Sequence, residues 1–138
     1  MKPYKILEHT ADVALCVYGR SLNELFVNAA KGLMSFITDE KKITVRKGLL
    51  IKLKENNIEE LFVSWLNELI FLFSAKSFLS KKFKIEYLDN CRLKATVLGE
   101  KFNEKKHIID TEIKAVTYHE LEIKKKRQYW QAKVILDT

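Results

Sequence analysis

The chain has 138 residues, and its 47% hydrophobic and 31% charged content indicates one folded domain, residues 1–138, and excludes a disordered chain. Lys and Arg total 25 against 18 Asp and Glu, so the charge of +7 favours polyanions or acidic proteins as partners without choosing between them. Two cysteines in no pair motif, and no apolar run of signal or membrane length, predict a cytoplasmic protein with neither a disulfide framework nor membrane contact.

Two alternating segments open the chain and predict its first strands, Tyr4–Leu7 and Asp12–Tyr18. Ser21 then stands three residues before Glu24, a capping box that predicts the start of a helix. Apolar residues behind this cap recur at three- and four-residue spacing, which is typical of an amphipathic helix with one side on a sheet.

A third strand and a second helix follow. Residues Ile43–Lys54 alternate as a half-buried strand does, and Asn57 before Glu60 is a second cap signal. The helix that follows this cap has apolar residues on nearly every side, because Val63, Ile70 and Phe71 lie outside its main apolar stripe. We therefore expect the second helix to be the central, buried one.

The remainder of the chain is strand-like. The run Lys124–Arg127 separates its last two alternating segments and predicts a solvated hairpin tip. The four segments are Phe83–Tyr87, Arg92–Leu98, Val116–Ile123 and Tyr129–Leu136. This order predicts an α+β domain with a largely antiparallel or mixed sheet and two amphipathic helices packed on it.

Acidic groups stand at two predicted strand ends. The polar run Glu8–Asp12 joins the first two strands, and the apolar residues Val134–Leu136 predict a last strand that stays docked up to Asp137 and the α-carboxylate of Thr138. Anions this close repel each other unless a cation lies between them. With Asp12 they make a set of hard oxygen donors that suits Ca²⁺, Mg²⁺ or Mn²⁺ rather than zinc. Exposed carboxylates without a ligand remain the simpler interpretation of these residues alone.

Other chemistry has weaker support. His9, His107 and His119 form no zinc-hydrolase motif, and Cys16 lies inside a strand, where a thiol is usually inert. Three basic clusters, two of them with nearby aromatic residues, are best explained as solvated loops, although they leave RNA binding open. These clusters are Lys81–Lys82, Lys105–His107 and Lys124–Arg127.

Taken in order, several motifs resemble the archease family over nearly the whole chain. They are the opening Glu8–Val13, the first-helix residues from Leu22 to Leu33, Trp65–Leu69 with Leu72–Phe73, Gly99–Glu100, His107, Glu112–His119 and Val134–Asp137. The resemblance implies a protein that is not an enzyme, binds metal and activates an RtcB-type RNA ligase in tRNA splicing. Such a ligase moves GMP from GTP to its own histidine and then to an RNA 3′-phosphate, which it joins to a 5′-hydroxyl.

The resemblance also implies how the protein would act. Archeases are expected to promote guanylylation of the ligase, allow multiple turnovers and broaden nucleotide use, with RNA contact that is indirect or transient. The family's metal site is carried over onto Asp12, Asp137 and Thr138, with calcium as the usual occupant. The family commonly ends in Asp followed by an apolar residue, and Thr138 departs from that pattern.

Two alternatives remain open from the sequence. One is a small RNA-binding or chaperone-like module that acts through the basic loops. The other is a metal-dependent hydrolase that uses Asp12, Asp137 and His9, which ranks last because the sequence offers no set of nucleophile, base and orienting group.

Overall fold

The computed structural model describes residues 2–8 and 12–138, and over these residues the chain forms seven β-strands, two α-helices and one 3₁₀ turn. The strands are β1 Tyr4–Glu8, β2 Asp12–Gly19, β3 Lys47–Lys54, β4 Phe78–Leu88, β5 Arg92–Lys101, β6 Ala115–Lys125 and β7 Trp130–Asp137. The helices are α1 Leu22–Ile37 and α2 Ile58–Lys76, and the 3₁₀ turn is Glu40–Lys42.

The strands form two antiparallel sheets rather than one. The first has the order β1-β2-β7-β6 and the second has the order β3-β5-β4. Both helices contact strands of both sheets, so the apolar faces of the two sheets are buried largely against helices. The predicted fold class, α+β with antiparallel strands and two helices, is confirmed; the division into two sheets was not predicted.

Local signals at the helix starts act as the sequence predicted. The Ser21 Oγ accepts a hydrogen bond of 3.1 Å from the Glu24 amide, and the Asn57 Oδ1 accepts one of 2.9 Å from the Glu60 amide. Each bond satisfies an amide that has no partner within the first helical turn.

The prediction that α2 is buried on nearly every side fails on one side, because Phe71 is 49% exposed. None of the helices in the described part of the chain is long and apolar enough to cross a membrane.

One aromatic side chain joins both helices to a strand of the second sheet. Trp65 of α2 is fully buried, and its Nε1 donates a 2.9 Å hydrogen bond to the Phe26 carbonyl of α1. Its ring meets Phe83 of β4 edge-on at 6.1 Å between centroids, and Phe26 meets Phe62 in the same way at 5.2 Å. These edge-to-face geometries are favourable for aromatic pairs and stabilise the packing of the helices on β4.

Strand boundaries differ from the prediction where tertiary contacts intervene. Strand β3 begins at Lys47 and not at Ile43, because Ile43 is buried in the loop before the strand. The carbonyl oxygen of Ile43 accepts a 2.9 Å hydrogen bond from the Lys81 Nζ. Strand β4 begins at Phe78, well before the predicted start. Strand β6 carries an irregularity after Thr117, with Glu120 in the left-handed region at φ 55°.

Gly99 of β5 lies against the backbone of β4, where no side chain fits. A Cβ on Gly99 would lie 1.8 Å from the Leu79 carbonyl oxygen, whereas the nearest atoms to one on Gly48 are methyls of Thr96 at 3.3 Å and Leu98 at 3.4 Å. Gly99→Ala should therefore lower the free energy of unfolding by about 3 kcal/mol, because the β4 backbone must shift. Gly48→Ala should change it by less than about 1 kcal/mol. Urea denaturation measures both, and equal losses would contradict the close approach.

Candidate functional site

The pairing of β2 with β7 places two aspartates side by side. Asp12 is the direct cross-strand partner of Asp137 in the antiparallel register. Residues opposed in this way share one face of the sheet, with Cβ atoms about 5 Å apart. Both side chains are exposed, while the next pair, Val13 and Leu136, is buried against the core. The sequence predicted that these two aspartates meet, and the register confirms it; their role as ligands stays a prediction.

The backbone of Asp137 is held from both sides. Strand β6 lies on the edge of β7 away from β2, with Ala115 opposite Asp137. The Lys114 amide donates a 2.8 Å hydrogen bond to the Asp137 carbonyl. Thr138 follows directly and is exposed. This end of β7 therefore has a strand on each side, and its backbone is held in place. The position of the Asp137 Cα atom, from which the carboxylate side chain extends, is fixed as a result.

The electrostatics of the pair favour a cation. Like charges directly opposed on a sheet destabilise it, and at about 5 Å in water the repulsion is about 1 kcal/mol. Among the described residues, no side-chain nitrogen of Lys or Arg lies within 4 Å of a carboxylate oxygen of Asp12 or Asp137. A cation bound between Asp12 and Asp137 would remove this repulsion.

The donor set limits which cation fits. No group of three or more His, Cys, Asp or Glu side chains in the described ranges, 2–8 and 12–138, is placed to hold a metal ion. Within these ranges, Asp12 and Asp137 offer a cation two carboxylates, and Thr138 offers further oxygens. An all-oxygen set of this kind fits Ca²⁺, Mg²⁺ or Mn²⁺ and does not fit a zinc centre.

The polar run before Asp12 is only partly described. His9, Thr10 and Ala11 lie outside the described residues, and the backbone of Glu8 closes β1 opposite Val13. His119 is exposed on β6, where its amide donates a 3.3 Å bond to the Thr117 Oγ1. Among the described residues, His119 is therefore not grouped with the aspartate pair.

A buried carboxylate, which the sequence marked only as part of a family motif and not as a site, lies near the end of β5. The Glu100 Oε2 accepts hydrogen bonds of 2.7 Å from the Lys106 Nζ and 2.7 Å from the Thr44 amide. The same oxygen lies 3.0 Å from the His107 Nε2, and the Arg46 Nε lies 3.2 Å from the Oε1. Burial alone would raise the pKa of Glu100, but the bonds from Lys106, Thr44 and His107 together lower it to about 2.

The contacts of His107 define its tautomer. Its Nδ1 accepts a 2.9 Å hydrogen bond from the Asn103 amide, so in the neutral ring the Nε2 carries the proton and donates to Glu100. The side chain of His107 is fully buried. The prediction that Lys105–His107 is a solvated basic loop is wrong at this residue, because Glu100 holds the ring inside.

This cluster joins three segments of the chain and has little capacity left for a ligand. The Glu100 carboxylate already receives four donors, which tie the loop after β5 to the segment before β3. An open groove of about 720 Å³ passes beside it, lined by Arg46, Lys47 and Glu100–Glu104. Alternation along β5 directs Gly99 inward and predicts an outward Glu100, so periodicity could not reveal this burial.

The fold and the site together define a class of small α+β protein. Its two helices pack on two antiparallel sheets, and a pair of carboxylates lies where β2 meets β7. Residues 4–138 match the model of the Archease protein family (MTH1598/TM1083). The chain belongs to the archease family, as its motifs predicted.

Relatives and solved structures agree with this assignment. Protein archease of Methanosarcina barkeri is 40% identical, with 99% of this chain and 96% of that protein covered. Protein archease of Sulfurisphaera tokodaii is 33% identical, with 99% of each covered. The solution structure of Methanobacterium thermoautotrophicum protein 1598 superposes over the whole of both chains with a TM-score of 0.84 at 33% identity. The crystal structure of an archease, possible chaperone, from Thermotoga maritima covers 97% of this chain and 96% of its own, with a TM-score of 0.67 at 28% identity.

The depressed pKa of Glu100 predicts a loss of stability in acid. Since the folded pKa of about 2 lies below the usual 4.5, the stabilisation is fully present above about pH 4.5 and is lost as the pH falls towards 2. Thermal unfolding at fixed ionic strength should show this fall for the wild-type protein. Glu100→Gln should flatten it and also lower stability at pH 7, because Lys106 and His107 lose a charged acceptor. Glu104→Gln, an exposed control, should keep the wild-type profile; an unchanged profile in Glu100→Gln would refute the assignment.

Proposed function

We propose that this protein is a non-catalytic, metal-binding activator of an RtcB-type RNA ligase in tRNA splicing. It would promote ligase guanylylation, permit multiple turnovers and broaden nucleotide use. The observation that carries the metal-binding part is the direct opposition of Asp12 and Asp137 at one end of a sheet. Membership of the archease family supports the choice of partner. The description of the Thermotoga maritima relative as a possible chaperone is compatible with a protein that acts on another protein.

In this proposal the cation is held at the surface. Asp12 and Asp137 would each supply a carboxylate and Thr138 a further oxygen, with Ca²⁺ as the expected ion and Mg²⁺ or Mn²⁺ as alternatives. Calcium takes six to eight oxygen ligands, so a bound ion would retain positions for water or for groups of the partner. All three residues are exposed, which suits a site that a second macromolecule approaches.

Activation would come from binding rather than from chemistry in this chain. The strand end is fixed by β2 and β6 on either side of β7, so it can present a rigid surface to the ligase. A rigid surface that binds the competent form of the ligase better than its other forms shifts the population towards that form. A hydrolase has less support, because the sequence offers no set of nucleophile, base and orienting group.

Calcium should stabilise the wild-type protein through the aspartate pair. An ion that binds only the folded state raises the free energy of unfolding by RT ln(1 + [Ca²⁺]/Kd), and the melting temperature rises with it. Asp12→Asn and Asp137→Asn should each lose this increase. Without divalent ions the same variants should be slightly more stable than wild type, by up to about 1 kcal/mol, because the repulsion is gone. Differential scanning calorimetry with Glu104→Gln as the control measures this, and an equal calcium response in Asp137→Asn and wild type would exclude the site.

The ligase assay tests the partner. Wild-type protein added to an RtcB-type ligase with labelled GTP should increase the rate at which the ligase–GMP adduct forms. Asp12→Asn and Asp137→Asn should reduce this stimulation by about tenfold or more, as loss of metal ligation does. Glu104→Gln should stimulate as wild type does. Full stimulation by both aspartate variants would refute the site, and no stimulation by wild type would refute the partner.

A further inference from the structure

The second sheet has a solvent-facing side that is strongly basic, and we name it the basic sheet face. Inward residues of β3 and β5, such as Ile51 and Val97, are buried, while their strand neighbours point outward. Six of the outward side chains are basic and all are exposed. They are Lys52 and Lys54 of β3, Lys82 and Lys84 of β4, and Arg92 and Lys94 of β5.

The strand register places these positive charges against each other. Lys52 is directly opposite Lys94, and Lys54 is directly opposite Arg92. Opposed like charges on a sheet are destabilising, so the two charges of each pair repel each other in the free protein. Among the described residues of the three strands, Glu86 is the acidic side chain that reaches this face, and it lies 3.6 Å from the Lys94 Nζ.

An aromatic ring stands among these charges. Tyr87 is the partner of Lys94 on β4 and is 52% exposed. Its hydroxyl donates a 2.6 Å hydrogen bond to the Asp89 Oδ2, which limits rotation of the side chain and leaves the ring at the surface. A shallow cavity of about 350 Å³ lies beside it, lined by Lys52–Lys54, Tyr87 and Arg92–Lys94.

We propose that the basic sheet face binds single-stranded nucleic acid, with phosphates on the Lys and Arg side chains and a base stacked on Tyr87. Phosphates would neutralise the opposed pairs, Lys52 with Lys94 and Lys54 with Arg92, and so remove their repulsion. Outward residues of one strand are about 6.7 Å apart and neighbouring strands about 4.8 Å, so the charges form a grid that an extended backbone can follow. Aromatic rings on a sheet surface stack with the bases of single strands. In a duplex the bases are stacked on one another inside the helix, so they cannot reach such a ring.

An acidic peptide could satisfy the charges but has no base to stack on Tyr87, so the ring favours nucleic acid. This surface belongs to the β3-β5-β4 sheet, whereas Asp12 and Asp137 belong to the other sheet. The inference therefore does not depend on the metal site or on the ligase. The sequence led us to expect RNA contact that is indirect or transient, whereas this proposal is of direct contact, and it uses strand surfaces rather than loops.

The test is binding of a fluorescent 20-nucleotide single-stranded RNA by the isolated protein, measured by anisotropy between 50 and 200 mM salt. Contact with about four phosphates predicts a slope of log affinity against log salt of about −3, a loss of about 50-fold over this range. The combined variant Lys52→Gln, Lys84→Gln, Arg92→Gln and Lys94→Gln should bind weakly with a slope near zero. A control with the same charge change, Lys124→Gln, Lys125→Gln, Lys126→Gln and Arg127→Gln at the hairpin tip, should keep the wild-type slope.

Tyr87→Ala tests the stacking contact separately. It should weaken RNA binding by about tenfold and leave binding of inorganic polyphosphate unchanged, because polyphosphate has no bases. Circular dichroism should show the same fold in every variant. Equal loss of binding in the hairpin-tip variant would overturn the assignment to the sheet face. Competition by polyglutamate as strong as by unlabelled RNA, or duplex RNA binding as tight as the single strand, would overturn the choice of ligand.

Discussion

The pairing of β2 with β7 is the constraint on which the first sheet and the candidate metal site both depend. It joins strands from opposite ends of the described chain over eight residue pairs, from Asp12 with Asp137 to Gly19 with Trp130. Leu15 and Val134 are opposed in the middle of this pairing and are fully buried. A slip by one residue would turn such apolar side chains to solvent, so burial of the core specifies the register. The opposition of the two aspartates is a consequence of the same register.

The helices explain why the two sheets keep separate outer faces. Trp65 bonds α2 to α1 and also packs on β4, so the helices fill the space against which each sheet buries its apolar side. The outer sides are then free to carry different charges. The first sheet carries the Asp12–Asp137 pair at one end, and the second carries the six basic side chains of the basic sheet face.

Features set by neighbouring residues were predictable, and features set by distant ones were not. Ser21 and Asn57 cap their helices as predicted, because a cap needs only the residues of one turn. The burial of Glu100 with His107 was missed, because it arises where a loop folds back over a strand end. For the site, the apolar residues before Asp137 predicted only that the last strand is docked, and the meeting of Asp137 with Asp12 was predicted from the resemblance to the archease family. The basic sheet face was missed because its residues are spread from Lys52 to Lys94 and only the register brings them together.

Like charges left facing each other distinguish the two proposed binding surfaces from the buried cluster. At Glu100 each donor serves the chain's own carboxylate, so opposite charges meet inside the protein and the cluster stabilises a loop. At Asp12 with Asp137, and at Lys52 with Lys94, the register opposes equal charges on exposed faces. Such pairs reduce the stability of the free protein by a modest amount, and a ligand of opposite charge removes that loss when it binds. A cation suits the aspartate pair and a polyanion suits the lysine pair. The sign of the like charges that the strand register places opposite each other therefore indicates the kind of ligand at each surface.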